Sequence, residues 1–253
     1  MAFVDIDGKK VHVIELNPGG GDPVVMIHGL FTSLSLYFFA IAPKIARRRR
    51  VILYDLRSHG LSDIRDEGYT LGILTDDLFA IMDALGISGA HLVGYSYGGD
   101  IALHAAGVRP ERVRSIALIE TPDMTEPEFT PLPNGFSDEV DAALVLATYN
   151  SPGGIPANKR KAERDRAIRR CLFEANLLQD AIRGGVKSLA GMRMEKLVAP
   201  ALLMYGKRSP FVETGFALAK RIPGARMRVV KGDHNLPVQR DTWVARQLDK
   251  FFA

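Results

Sequence analysis

The chain has 253 residues, of which 47% are apolar and 25% charged, and its mean hydropathy is +0.01. This composition is typical of a globular protein with a sizeable buried core, and it excludes disordered and fibrous proteins. The net charge of +4 is a small excess for this length, and the single cysteine, Cys171, excludes an intramolecular disulfide. No cluster of cysteines and histidines has the spacing of a zinc site, so we expect no metal centre.

The apolar stretches of the sequence are short. Glycine, proline or charged residues interrupt them well before the roughly 20 residues that a membrane span requires. The N-terminal sequence MAFVDIDGKK has no basic segment followed by an apolar core and a cleavage site of small residues. We therefore expect no membrane span and a cytoplasmic location.

The N-terminal third has the pattern of a series of strands. FVDID and KVHVIEL are strand-like runs, and Asp7-Gly8 between them is typical of a hairpin turn. VVMIHG and VILYDL are predominantly apolar, which is the pattern of strands buried on both faces of a parallel sheet. Between these two strands the pattern predicts a helix over residues 37–47.

The next segments alternate regularly between helix and strand. A helix over residues 71–85 precedes the strand AHLVGYS, and a helix over residues 97–106 precedes the strand SIALIE. Such alternation predicts right-handed crossovers around a central sheet. The expected fold class is therefore α/β, with a mostly parallel central sheet and helices on both faces.

The alternation stops after Glu120. Residues 121–195 contain a proline-rich passage and two helical stretches, about residues 137–149 and 156–173, and they show no convincing strand. A helical segment of this kind, inserted into an alternating α/β pattern, predicts a cap over the carboxyl edge of the sheet.

The α/β pattern then resumes toward the C-terminus. PALLMYG and RMRVVKG have the composition of strands, a helix is predicted over residues 216–221, and a last helix ends at Phe252. We therefore predict one core formed by residues 1–120 and 196–253, interrupted once by the helical cap.

Two short segments concentrate the positive charge. Arg47 to Arg50 lies where a helix should end and a strand begin, and cations are favourable at a helix C-terminus. The segment KRKAERDRAIRR, Lys159 to Arg170, has seven basic residues beside only Glu163 and Asp165. Nucleic-acid binding would need aromatic residues or a reading motif beside such charge, and neither is present, so we expect no nucleic-acid partner.

The segment most specific for chemistry is GYSYGG, Gly94 to Gly99, which follows an apolar strand and opens a helix. A G-x-S-x-G sequence in that setting predicts an abrupt turn that exposes Ser96 at the edge of the sheet. Gly94 and Gly98 suit this turn because a Cβ at either position would clash with neighbouring backbone. The turn also places Ser96 at a helix N-terminus, which favours negative charge.

Four motifs in chain order carry a family resemblance. HGLF follows one strand, YDLRSHGLSD the next and GYSYGG the third, and GDHN lies near the C-terminus. This order resembles the α/β-hydrolase fold family over nearly the whole chain, with the cap the least matched part. The resemblance implies an oxyanion hole formed by the backbone N–H groups of Leu30 and Tyr97, with Phe31 bordering an acyl site.

A serine nucleophile at position 96 needs a base, and the chain has six histidines. His234 differs from the others because it follows the last predicted strand, as the order nucleophile, acid, histidine of this fold requires. We therefore predict that His234 is the general base and then the general acid. The side chain of His28 is interpreted as a structural anchor of its loop.

The acid that orients this histidine departs from the common family pattern. Members resembling this chain usually place an aspartate in a G-x-x-D turn, where this chain has Gly206 and Ser209. A serine carries no charge to stabilise an imidazolium, so another carboxylate is required. Glu120 ends the strand after the elbow, with a spacing from Ser96 similar to that of the acid in haloalkane dehalogenases. Asp123 is the alternative acid.

These residues predict a serine hydrolase that cleaves a carboxylic ester, thioester or lactone through an acyl-enzyme, with no cofactor. An apolar cap would suit a small or medium hydrophobic acyl group. The basic charges of the segment 159–170 fit either a solvated helix face or attraction of an acyl carrier protein or acyl-coenzyme A.

The sequence leaves two alternative functions open. The same triad serves acyl transfer, cyclisation or carbon-carbon cleavage in other chains, because a fold does not fix the chemistry. A ligand-binding protein without turnover is the other alternative, and the altered acid turn at Ser209 is its best support.

Overall fold

The computed structural model describes residues 2–65, 68–123, 188–189 and 191–253. Its centre is an eight-stranded sheet in the order β1-β2-β4-β3-β5-β6-β7-β8. The strands are β1 Ala2–Ile6, β2 Lys9–Leu16, β3 Gly21–Ile27, β4 Arg49–Tyr54, β5 Ala90–Tyr95, β6 Val113–Ile119, β7 Ala201–Gly206 and β8 Arg226–Val230. Strand β2 pairs antiparallel with β1 and β4, whereas the other neighbouring pairs are parallel. The predicted α/β class with a mostly parallel sheet is confirmed.

Helices of the described part flank this sheet. They are α1 Ser35–Phe38, α2 Ala42–Ile45, α3 Leu71–Ala84, α4 Tyr97–Val108, α5 Val212–Arg221, α6 Leu236–Gln239 and α7 Asp241–Phe252. The prediction of one helix over residues 37–47 is wrong, because two separate short helices, α1 and α2, occupy that stretch. Pro43 explains the break, since its ring would clash with the preceding turn and it donates no N–H, whereas it fits the first turn of α2.

The two faces of the sheet bury separate apolar layers. Along β3, Val25 and Ile27 pack with residues of α3 and α4, whereas the alternating Val24 and Met26 pack with residues of α1, α2 and α7. Successive side chains of a strand point to opposite faces, so a fully apolar strand is the sequence signature of a sheet covered on both sides. The helices thereby fix the sheet from both faces.

The carboxyl ends of the central strands meet at one edge of the sheet. Tyr95 ends β5, Ile119 ends β6 opposite it, and Gly206 ends β7. The residues that follow these strands are therefore held close together by the ladder. This edge is where open α/β sheets bind their ligands.

Most of the predicted cap lies outside the described residues. The two predicted helices of that segment, its basic stretch 159–170 and Cys171 fall there as well. The division into core and cap stays a prediction, although the sheet itself is built only from residues before 120 and after 200. Among the described helices, none has the length and apolar character needed to cross a bilayer.

Candidate active site

Ser96 lies between β5 and α4 in a backbone conformation that few non-glycine residues adopt. Its φ is 51° and its ψ is −126°, and its side chain does not cap the helix that follows. A Cβ on Gly94 would collide with the carbonyl oxygen of Gly98, and a Cβ on Gly98 would collide with the carbonyl oxygen of Ile27. The two glycines are therefore required by the close approach of β5, α4 and the end of β3.

The loop after β3 packs directly against the serine. A Cβ on Gly29 would lie 3.0 Å from the Cβ of Ser96 and 3.0 Å from the carbonyl oxygen of Tyr95. Leu30 follows in this loop, and Tyr97 begins α4 on the other side of Ser96. The two predicted oxyanion donors thus belong to segments that flank the serine, and Phe31 is the next residue of the same loop, partly buried with a φ of 60°.

Two buried histidines hold this loop through their ring nitrogens. The Leu56 N–H donates to Nε2 of His28 at 3.0 Å, and the Phe31 N–H donates to Nε2 of His59 at 3.0 Å. Each Nε2 is therefore an acceptor, which leaves Nδ1 as the protonated nitrogen: that of His28 donates to Gly29 O at 2.7 Å. Burial lowers the pKa of His28, and burial, followed by the proximity of the His28 ring, lowers the pKa of His59 to about 3. Both rings stay neutral, and the interpretation of His28 as an anchor agrees with these contacts.

Asp55, from the motif after β4, anchors the neighbouring segments. Its carboxylate accepts the Leu34 N–H at 2.8 Å and the Leu61 N–H at 2.9 Å, and it lies 2.7 Å from Nδ1 of His12. Burial alone would raise the pKa of Asp55, but these hydrogen bonds and the nearby histidines leave it lowered. Asp55 therefore stabilises the scaffold beneath the loop.

His234 and Glu120 meet at the carboxyl edge of the sheet. Nδ1 of His234 lies 3.6 Å from Oε2 of Glu120, and neither atom has a hydrogen-bond partner among the described residues. The other carboxylate oxygen of Glu120 accepts the Gly206 N–H at 2.5 Å, and the Glu120 side chain is fully buried. The His234 side chain is 21% exposed. Two buried polar atoms that face each other at this distance need only a small movement to form a hydrogen bond.

The other candidate acids have different partners. Asp123 Oδ2 lies 3.4 Å from Nη1 of Arg221, and Asp123 is buried. Asp233 accepts hydrogen bonds from the Gln239 amide at 2.9 Å. Ser209, at the usual family position of the acid, accepts the Phe211 N–H at 3.0 Å. Among these carboxylates, the structure brings Glu120 to the histidine ring and directs Asp123 and Asp233 to other groups.

Three residues near this site were not identified from the sequence. Tyr95 donates from its hydroxyl to the carbonyl oxygen of His234 at 3.0 Å, and Phe211 packs edge-on against the His234 ring at 5.0 Å between centroids. Asp100, in the first turn of α4, is fully buried, and neither of its oxygens has a hydrogen-bond partner among the described residues. Burial, and then the charge of Asp123, hold the pKa of Asp100 well above its usual range. An acidic residue inside an otherwise apolar helix start was the available sequence signal for Asp100.

No metal site is evident in the part of the chain that the structure describes. Within residues 2–65, 68–123, 188–189 and 191–253, no group of three or more His, Cys, Asp or Glu side chains is placed to hold a metal ion. The site chemistry available from the described residues is that of a hydroxyl, an imidazole, a carboxylate and backbone N–H groups.

Comparison with known proteins decides the family. The sequence pattern of the family described as alpha/beta hydrolase fold matches residues 22–158. The chain belongs to the α/β-hydrolase fold family. This α/β-hydrolase-fold protein is also similar over its whole length to a solved structure described as an N-acyl homoserine lactone degrading enzyme. The TM-score is 0.77 at 25% identity, covering 99% of this chain and 100% of the other.

Two curated relatives extend the comparison. Over 112 residues the chain is 37% identical to the 2-hydroxymuconate semialdehyde hydrolase of Pseudomonas sp., covering 43% of this chain and 40% of the relative. Over 135 residues it is 35% identical to the cis-3-alkyl-4-alkyloxetan-2-one decarboxylase of Shewanella oneidensis, covering 52% and 42%. The matched stretches span about a third to two fifths of the length of such relatives. Of these two relatives, one is named as a hydrolase and the other as a decarboxylase.

Proposed function

We propose that this α/β-hydrolase-fold protein is a serine hydrolase that cleaves a carboxylic ester, thioester or lactone through an acyl-enzyme. The observation that carries the proposal is the pairing of His234 Nδ1 with Glu120 Oε2 at 3.6 Å, beside the strained turn that presents Ser96. A paired carboxylate fixes the tautomer of an imidazole, so that Nδ1 is protonated and Nε2 accepts a proton.

In the first half of the reaction, Nε2 of His234 removes the proton from the Ser96 hydroxyl as its oxygen attacks the substrate carbonyl carbon. The carbonyl π-electrons move onto oxygen, and the N–H groups of Leu30 and Tyr97 stabilise that oxyanion. Donors of this kind contribute about 3 kcal/mol each to the transition state. When the tetrahedral intermediate collapses, the bond to the leaving alcohol or thiol breaks and the imidazolium returns the proton to it.

In the second half, a water replaces the leaving group. His234 takes one proton from the water while the water oxygen attacks the acyl carbon. The imidazolium then gives this proton to the Ser96 oxygen as the bond between the acyl group and the serine breaks. The Glu120 carboxylate stabilises the imidazolium in both halves. The products are a carboxylic acid and the regenerated serine.

Apolar side chains in the segments near the site support a hydrophobic acyl substrate. Leu30, Phe31 and Phe211 are partly buried apolar residues that pack on the core of the protein, and Phe31 follows the proposed oxyanion donor directly. An apolar surface at that place suits a hydrophobic acyl group. The similarity to an N-acyl homoserine lactone degrading enzyme supports including lactones in the substrate panel.

A second candidate is the same triad acting in a reaction other than net hydrolysis, such as acyl transfer, cyclisation or carbon-carbon cleavage. The similarity to an oxetanone decarboxylase, a protein whose name states loss of carbon dioxide, favours keeping this candidate. Thioesters of coenzyme A or of an acyl carrier protein belong to the first candidate, and the positive charge of residues 159–170 is their support.

The test is a substrate panel run on the wild-type chain and on Ser96→Ala. p-Nitrophenyl esters of increasing acyl length, a lactone series and acyl-coenzyme A thioesters are compared, with acid release and thiol release measured separately. We expect turnover of at least one class that Ser96→Ala abolishes. Turnover equal in both proteins would refute the nucleophile, and activity on thioesters alone that falls steeply with salt would assign the carrier-linked version.

A further inference from the structure

We propose that Tyr95 is a positioning residue for the reaction, because its hydroxyl fixes the segment that carries His234 to the strand that carries Ser96. The inference rests on the proposed function and adds to it a residue that touches neither the substrate nor the reacting atoms. Tyr95 acts through the backbone of His234 and through the face of its ring.

The contacts join the two ends of the site through adjacent residues. Tyr95 is the last residue of β5, and Ser96 follows it directly. The Tyr95 hydroxyl donates to the carbonyl oxygen of His234 at 3.0 Å. The two rings are in contact, tilted by 30° to each other with a centroid distance of 5.2 Å. The Tyr95 side chain thus contacts both the backbone of His234 and its imidazole ring, and it restrains the position of both relative to Ser96.

The direction of this hydrogen bond is fixed by the surroundings of the phenol. Tyr95 is 5% exposed. Burial, followed by the charges of Glu120 and Asp233, raises the pKa of the Tyr95 hydroxyl above its usual range. The phenol therefore keeps its proton at neutral pH, and because a carbonyl oxygen can only accept, the hydroxyl is the donor.

Among the described residues, few contacts restrain the His234 ring itself, whereas the neighbouring Asp233 is held by the Gln239 amide. Nδ1 of His234 faces Glu120 at 3.6 Å without a short hydrogen bond, and Phe211 contacts the ring by its edge only. The segment follows β8, the edge strand of the sheet. A displacement of about 1 Å at a catalytic group is enough to slow an enzyme strongly, so the anchor at the carbonyl governs how often the imidazole reaches the serine.

The test is a double-mutant cycle of Tyr95→Phe and Glu120→Gln, with kcat and KM measured on p-nitrophenyl acetate. Tyr95→Phe keeps the ring and removes the hydrogen bond. Tyr37→Phe is the matched control, since Tyr37 is also fully buried in the same apolar layer and donates to a backbone carbonyl, that of Ile27, at 3.2 Å. Both variants lose one buried hydrogen bond, so similar losses of melting temperature are expected from both.

We expect Tyr95→Phe to lower kcat about tenfold with KM within about twofold of the wild type, and Tyr37→Phe to leave kcat unchanged. In the Glu120→Gln background the effect of Tyr95→Phe should shrink to less than about twofold, because a ring that has lost its orienting carboxylate gains little from an anchored backbone. A stability effect alone would lower the melting temperature without this coupling.

Two results would overturn the inference, and they are distinguishable from each other. The first result has two forms, and in both Glu120→Gln lowers kcat. Either the kcat of Tyr95→Phe equals that of Tyr37→Phe, or Tyr95→Phe lowers kcat by the same factor in the Glu120→Gln background as in the wild type. In either case the role of Tyr95 is wrong and the triad stands. If Glu120→Gln itself leaves kcat unchanged, the proposed acid is wrong, and the coupling through it falls as well.

Discussion

One carboxylate oxygen of Glu120 faces the His234 ring, and the other accepts a backbone hydrogen bond from Gly206. Oε1 accepts the Gly206 N–H at the end of β7, while Oε2 lies 3.6 Å from Nδ1 of His234. The carboxylate is therefore fixed by the sheet edge and cannot turn away from the imidazole without losing a buried hydrogen bond.

The identity of the acid is tested by two single substitutions. Glu120→Gln keeps the shape of the side chain and removes its charge, so we expect kcat to fall by about 10³- to 10⁴-fold, as when a triad carboxylate is neutralised. Ser209→Ala at the usual family position should leave kcat within about twofold of the wild type, because that side chain carries no charge and serves its own turn. Measurement of kcat and KM for both variants decides between them, and the reverse ranking would refute Glu120.

Two glycine-to-alanine variants, compared by their stability, test the steric basis of the turn at Ser96. Gly98→Ala places a methyl group against the carbonyl oxygens of Ile27 and His28, so we expect a loss of about 3 kcal/mol or more in the free energy of unfolding, or no folded protein. Gly72→Ala in α3 is the control, since a Cβ there meets no atom within 4 Å, and it should stabilise by up to about 1 kcal/mol. Urea unfolding of both variants measures this, and equal stability of the two would contradict the steric account.

The buried carboxyl of Asp100 predicts a pH dependence of stability. Its pKa is raised in the folded state, so above the ordinary value of 3.8 the folded chain holds a proton that the unfolded chain releases. The stabilising effect is complete below that value and is lost as pH rises toward the raised pKa, at about 1.4 kcal/mol per pH unit.

Asp100→Asn removes this dependence while keeping the shape of the side chain. We therefore expect the variant to gain stability relative to the wild type as pH is raised from about 4, with a slope difference of about 1.4 kcal/mol per unit. Urea unfolding of the two proteins across that range measures it. Parallel curves would show that Asp100 is ionised when folded.

The lowered pKa of His59 predicts that the free energy of unfolding falls as the pH falls, which is the opposite of the dependence expected from Asp100. Its pKa falls from 6.5 to about 3 because of burial, so between these values the unfolded chain binds a proton that the folded chain does not. The stability that His59 contributes is present above 6.5 and is lost as pH falls toward 3. His59→Gln retains an acceptor for the Phe31 N–H without titrating, so we expect its acid unfolding to be shallower by about 1.4 kcal/mol per unit. Equal slopes would contradict a neutral buried ring.

Much of the fold was predictable because its signals are local. The apolar runs of β3 and β5, the hairpin at Asp7-Gly8 and the helix α3 all follow from periodicity and turn residues, and the structure confirms them. The prediction of one helix over residues 37–47 was wrong because of Pro43. Proline is unfavourable inside a helix, and this effect outweighs a suitable apolar pattern.

The site was predictable only in part, because its geometry depends on contacts distant in sequence. Ser96 has a local motif, whereas the choice of Glu120 over Asp123 depends on Arg221 and His234, which come from the last part of the chain. Tyr95 lies inside the GYSYGG motif and Asp100 directly follows it, but the motif does not specify the contacts of either side chain. Their surroundings depend on what folds against them, such as the carbonyl of His234 beside Tyr95, and no local pattern encodes that contact.

The most direct test of the account is covalent capture of the serine. The wild-type chain, Ser96→Ala and His234→Ala are incubated with a fluorophosphonate probe at neutral pH, and the adducts are located by peptide mass spectrometry with circular dichroism as the check of folding. We expect one adduct per chain at Ser96 in the wild type, none in Ser96→Ala, and labelling slowed by orders of magnitude in His234→Ala. A folded wild-type chain that stays unlabelled, or that is labelled equally fast without His234, would contradict an activated nucleophile and favour a ligand-binding protein without turnover.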